Sequence, residues 1–177
     1  MIFANLSNFK NINDYLPIIT SALIVDMVIL FRIVYGYIKI KSLNEWYNKF
    51  GLLAVVADVL SIVIGIILAR FIYPFLFTKY SLILFLILIC FIQVIHDVLF
   101  YLFFTGIPRN KSAILDVFKD YANEVGIKIL FVDGLMMVST VLLASYLATL
   151  NTNSNIIILI VLLYILPYVL YSIKPIK

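Results

Sequence analysis

Nine residues of this chain are acidic, and four of them, Asp26, Asp58, Asp97 and Asp133, fall inside long apolar runs. Asp14, Glu45, Asp116, Asp120 and Glu124 fall in loops or at interfaces. A charge at the centre of a lipid-embedded helix costs about 2.5–3.5 kcal/mol on insertion scales, so a carboxylate in such a run asks for a partner or a task. Counted from one common side of the membrane, Asp58, Asp97, Asp133 and the basic Arg32 lie roughly 9–12 Å deep at about 1.5 Å per residue. Three carboxylates and one guanidinium from four helices are therefore expected to meet in a single layer, with Asp26 lying deeper. If all are ionised, that layer carries more negative charge than a low-dielectric medium tolerates without protons, water or a bound cation. At least one aspartate is expected to keep its proton or to face a water-filled cavity.

His96, the single histidine, adjoins Asp97, and Gln93 stands at i, i+4 from Asp97 on the same helix face. Adjacent helix residues point about 100° apart, so His96 and Asp97 need not share a partner. Two roles fit the layer Arg32, Asp58, Gln93, His96, Asp97 and Asp133. In the first, these groups hold helices together, Arg32 pairing with one carboxylate while Gln93, Ser61, Ser139 and Thr140 complete the hydrogen bonds. In the second, the aspartates carry protons or cations, with Arg32 as counter-charge and His96 as a relay. Catalysis is disfavoured. Asp133-Gly134 lacks the glycine-x-glycine-aspartate arrangement of intramembrane aspartyl proteases, and no Ser–His–Asp elbow, phosphate loop or paired-histidine metal motif occurs. No metal or other cofactor is expected. Asp-x-Val or Asp-x-Leu recurs at all four aspartates, but the flanking residues do not match, and the repeat carries little weight.

The elements that must position these residues follow from composition. With 65% hydrophobic and 12% charged residues over 177 positions, and a mean hydropathy of +1.16, the apolar side chains exceed what one water-soluble core can bury. A hydrocarbon layer of about 30 Å takes roughly 20 helical residues, and unalternating apolar runs of that length exclude barrel strands. The expected fold is all-α: a membrane bundle with spans at about 17–40, 50–71, 81–104, 127–150 and 155–172. The segment around Ile2, Phe3, Leu6, Phe9 and Ile12 is expected on the membrane surface. Reversals are expected at Tyr73, Pro74 and Lys79, and at 151–155. Over about 110–125, Ile114, Val117, Phe118, Tyr121 and Val125 share one face against Lys111, Asp116, Lys119, Asp120, Asn123 and Glu124, which predicts an interfacial helix closed by Gly126. Ser61, Gly65 and Ala69, and likewise Thr140, Ala144 and Ala148, mark close helix contacts.

The net charge of +4 does not signal nucleic acid, because the basic residues sit in short loops. Lys39, Lys41, Lys49, Arg109, Lys111, Lys119, Lys128, Lys174 and Lys177 fall on one side, and Lys10, Arg70 and Lys79 on the other. The positive-inside rule then places the N-terminus outside and the C-terminus in the cytoplasm. The first residues show no cleavable leader. Asn5-Leu6-Ser7 is a glycosylation sequon on the expected outer side. Cys90, alone in an apolar run, reads as a buried hydrophobe.

From Asp58 onward the chain resembles a family of uncharacterised multispan proteins of nucleocytoplasmic large DNA viruses. The resembling stretches are Ala57-Asp58-Val59-Leu60-Ser61, Gln93 to Tyr101, Ile107-Pro108-Arg109, Asp116 to Tyr121, Asp133 to Met137 and Leu166-Pro167-Tyr168. They cover about two-thirds of the chain and omit its first fifty residues. The resemblance implies residence in a viral inner membrane or a host-cell membrane, with the lipid bilayer, further copies of the chain or other viral membrane and capsid proteins as partners. It implies no activity. The expectation is thus a non-enzymatic multipass viral membrane component, structural or membrane-organising, with a proton or cation channel or transporter as the alternative.

Overall fold

A computed structural model describes residues 3–171, and within them the chain is all-α. Five helices are long and apolar enough to cross a membrane. They are α1 (Tyr15–Val34), α3 (Leu52–Leu76), α4 (Leu82–Thr105), α6 (Lys128–Leu147) and α7 (Thr152–Tyr171), with the shorter α2 (Lys41–Phe50) and α5 (Ala113–Val125) between them. The 127–150 and 81–104 spans agree with α6 and α4 to within three residues. The expected end of the last span at Ser172, with Ile2, Lys174 and Lys177, lies outside the described residues.

The first span corrects the sequence reading. Its helix stops at Val34 instead of Ile40, because Gly36 takes a φ of +76° and the Ile38 amide folds back onto the Arg32 carbonyl at 2.9 Å. Only glycine adopts such a φ without strain. The released segment then forms α2, whose Leu43, Trp46, Tyr47 and Phe50 recur at i, i+3, i+4 and i+7. α2 was not expected, and it buries Trp46 and Tyr47.

At the opposite end α3 runs through Tyr73 and Pro74 to Leu76, so the reversal comes later, around 77–81. The Tyr73 hydroxyl holds it, accepting from the Ser81 amide at 2.8 Å and donating to the Lys79 carbonyl. The N-terminal segment is irregular up to a 3-10 turn at Ile12–Asp14. It packs into the bundle instead of lying on its surface: Leu6 is fully buried, and the Ala4 amide bonds the Ser145 carbonyl at 2.9 Å.

α1, α3, α4 and α6 form a ring in which α1 packs on α3 and α6, and α4 packs on the same two helices. α7 lies outside, against α1. The small-residue stripes seal the ring from within: a Cβ added at Gly65 would stand 2.8 Å from the Met137 methyl of α6. Thr140 and Ala144 are fully buried, while Ser61 is exposed. α2 and α5 pack on each other across one end of the ring.

Candidate functional site

α2 and α5 are latched before they can cover anything. The Glu124 carboxylate receives the Lys41 and Ser42 amides at 2.8 and 2.9 Å and the Ser42 hydroxyl at 2.6 Å. A carboxylate there satisfies free amides at the N-terminus of α2 and meets the positive end of its dipole. These bonds hold the Glu124 carboxyl below the ordinary carboxylate range. Trp46 stacks on Phe118 of α5, which in turn packs edge-on to Phe100 of α4.

Under this cover lies a cavity of about 800 Å³, walled by α2, α3, α4, α5 and α6. Asp58, Asp97 and Asp133 all line it, with Gln93, His96, Tyr47 and Tyr121. The corrected helix ends place Asp26, Asp58, Asp97 and Asp133 between five and eight residues from this end of the bundle, roughly 8–12 Å deep. Among the described residues no lysine or arginine lines it. Among the described residues no three of His, Cys, Asp and Glu stand together as metal ligands. The acids are therefore spread around a wall, not gathered at a point.

Each acid has its own setting. Gln93 Nε2 donates to Asp97 Oδ1 at 2.7 Å, as the i, i+4 spacing predicts, while His96 Nδ1 stands 3.2 Å from the same oxygen on a half-exposed ring. Asp97 Oδ2 is buried without a protein partner, and Asp133 makes no hydrogen bond among the described residues. Asp58 Oδ2 receives Trp46 Nε1 at 2.9 Å and faces the Tyr47 hydroxyl at 2.9 Å. That hydroxyl also stands 3.0 Å from Asp26 Oδ1. A phenol has one proton, so it can donate to only one of the two carboxyls; the other contact needs a proton on the acid. Burial pushes the Tyr47 phenol up, with the charges of Asp26 and Asp58 adding to it, and keeps it a neutral donor. Burial likewise raises the Tyr121 phenol, and Asp133, Asp58 and Asp97 each add to that rise. Tyr121 thus sits within the field of all three cavity acids.

Arg32 does not join this layer. With α1 ending at Val34 it occupies the last turn, exposed and without an ion pair among the described residues. The same boundary moves Asp26 from its expected deep position to the level of the other acids. The buried guanidinium is instead Arg70, expected at the outer end of the second span and fully buried in α3 at the far end of the bundle. Its Nη2 donates to Asp14 Oδ2 at 2.8 Å and to the Asn8 and Asn11 carbonyls, with Tyr15 stacked against it. That clamp, absent from the sequence reading, pins the N-terminal segment to α3.

Between the cavity and the far end, Thr20 and Ser21 of α1 and Thr140 and Ser145 of α6 are fully buried, and the hydroxyls of Thr20, Ser21 and Thr140 have no partner among the described residues. Thr105, Thr149 and Ser61 show the local alternative, each bonding a carbonyl three or four residues back. Thr140 was expected to complete hydrogen bonds of the layer and does not, and Ser61 bonds only the Asp58 carbonyl.

Fold and site together define an all-α bundle with membrane-spanning helices around an acidic cavity. No protein-family model, curated protein or solved structure matches the chain.

Proposed function

We propose that the protein moves protons or small cations through the cavity lined by Asp58, Asp97 and Asp133. The observation that carries this reading is three carboxylates on three helices facing one cavity, with no lysine or arginine among the described residues of its wall. Isolated carboxylates in a medium of low dielectric take up protons or cations, or draw in water that carries them. His96 beside Asp97 serves as a relay at the cavity edge, and the buried hydroxyls of α1 and α6 continue a polar route towards the far end.

A second reading, a structural or membrane-organising component, draws on the Arg70–Asp14 clamp and the Glu124 latch. Both fix helix neighbours without help from the cavity. Under either reading the resemblance to large DNA virus proteins supports residence in a viral inner membrane or a membrane of the infected cell, with other copies or viral membrane and capsid proteins as partners. The excess of lysine and arginine on the α2–α5 side supports a cytoplasmic position for that face.

The two readings separate in liposomes loaded with a pH-sensitive dye under an imposed potential. Transport predicts flux from the wild-type protein that falls about tenfold or more in Asp97→Asn, a loss of at least 1.4 kcal/mol in barrier terms. An intact wild-type protein without flux would overturn transport and leave the structural reading.

A further inference from the structure

The principal helix contacts pair off. α1 packs on α6 as α4 packs on α3, and α1 on α3 as α4 on α6. α2 meets α3 as α5 meets α6, and α1 meets α2 as α4 meets α5. The remaining pairs, α2 with α5 and α3 with α6, are the ones a two-fold axis would map onto themselves. Only α7 and the N-terminal turn stand outside the scheme. Exchanging α1–α3 for α4–α6 therefore preserves the pattern. Each unit has two spans, so both units enter from the same side, and the axis runs along the membrane normal as in the parallel repeats of transporters.

The residues follow the same exchange. Asn48-Lys49-Phe50-Gly51 faces Asn123-Glu124-Val125-Gly126, and the two glycines share a backbone geometry, φ +53° with ψ −125° against φ +63° with ψ −146°. Seven residues beyond each glycine stands an aspartate, Asp58 and Asp133. Lys41-Ser42 and Lys111-Ser112 each stand five residues after a glycine, Gly36 and Gly106, the first pair opening α2 and the second just preceding α5, and the preceding spans carry Asp26 and Asp97. Because α5 has 13 residues and α2 only 10, the copies fall out of register between their two aspartates. The weak four-fold Asp-x-Val/Leu pattern is corrected to a two-fold repeat of a two-aspartate unit.

We infer that Asp97 and Asp133 form the working ion site, and that Asp26 and Asp58 are its duplicate, capped by Tyr47. Counting back from the glycines, Trp46 matches Tyr121 and Tyr47 matches Ala122. In the first copy the Tyr47 hydroxyl fills the space between the acids, at 3.0 and 2.9 Å. In the second, alanine leaves that space open, and Ala122, Tyr121 and Gly126 line the cavity that Asp97 and Asp133 share. Asp26 and Asp97 each keep a buried Oδ2 without a partner among the described residues, but Asp97 lines the cavity together with Asp133, whereas Asp26 is sealed from it. One side chain on each short helix thus decides whether a pair of acids is capped or open. The ligand is a proton or a small hydrated cation, and the assignment rests on the transport reading above.

The test is liposome flux, with folding checked by thermal unfolding. Ala122→Tyr, which supplies the missing cap, is expected to lower flux about tenfold or more, and Asp97→Asn to do the same, while Asp26→Asn stays within about threefold of wild type. Ala122→Tyr that conducts like wild type, or flux lost in folded Asp26→Asn and retained in Asp97→Asn, overturns the assignment of the working pair and leaves transport standing. Should Ala122→Tyr not fold, the two asparagine variants decide the matter alone. Absent wild-type flux overturns transport itself, and this assignment with it.

Discussion

At the scale of residues, proton counting around Tyr47 leads to the first prediction. One phenolic proton serves two carboxyl oxygens, so one of Asp26 and Asp58 holds a proton at neutral pH. Infrared spectra at pH 7 are expected to show a neutral-carboxyl band that is lost in Asp58→Asn or shifted in Tyr47→Phe; a spectrum unchanged by both variants contradicts the shared proton. Glu124 gives a prediction of opposite sign. Its folded pKa lies below the ordinary 4.5. The latch therefore contributes fully above that value and is lost as pH falls through the lower folded value. Hydrogen exchange at the Lys41 and Ser42 amides, referred to neighbouring amides, should stay protected down to pH 4.5 and lose protection below it. In Glu124→Gln the protection should be weak at every pH.

What the sequence disclosed at this scale depended on where a helix was taken to stop. Gln93–Asp97 was legible because i, i+4 spacing lies within one helix. Arg32 and Asp26 were misplaced by the same error, six residues at the end of α1, since Gly36 gives no hydrophobic signal to a run that continues through Tyr37, Ile38 and Ile40. Trp46 and Tyr47 escaped the sequence reading because they lie between two expected spans, in a stretch read as a connection although Leu43, Trp46, Tyr47 and Phe50 share one helical face. Arg70 read only as a charge at the outer end of its span because its partners, Asn8, Asn11 and Asp14, come from a segment whose path no periodicity specifies.

At the scale of elements, the account rests on two contacts that can be broken separately. Removing one member of a buried ion pair leaves an uncompensated charge and costs about 3–5 kcal/mol. Asp14→Asn should lose about that much in thermal or denaturant unfolding, and adding Arg70→Gln should recover part of it. Equal losses that simply add would mean that the pair is not coupled. Gly65 lies against Met137, so Gly65→Val should cost about 1–3 kcal/mol by overpacking, and less in a Met137→Ala background, where the methyl is gone. Additive effects would place the two helices further apart than they stand here. The apolar spans themselves were legible in the sequence, since length and hydropathy specify a crossing helix without tertiary information. Which helices touch was not legible, and the small-residue stripes marked only that some contact is close.

At the scale of the whole molecule, the bundle is held at both ends and hollow near one. The Arg70 clamp closes the far end, the Glu124 latch ties α2 to α5 over the cavity, and between them the acids face a space that no described lysine or arginine lines. Such an arrangement stores repulsion, and removing one charge should release it. Asp133 is the cleanest position, because it makes no hydrogen bond that asparagine would forfeit. Thermal unfolding of Asp133→Asn in lipid nanodiscs at pH 8 is the most direct measurement. The account predicts a higher Tm than wild type, reflecting about 1 kcal/mol of relieved repulsion. An equal or lower Tm would contradict it, showing that the cavity acids are already compensated.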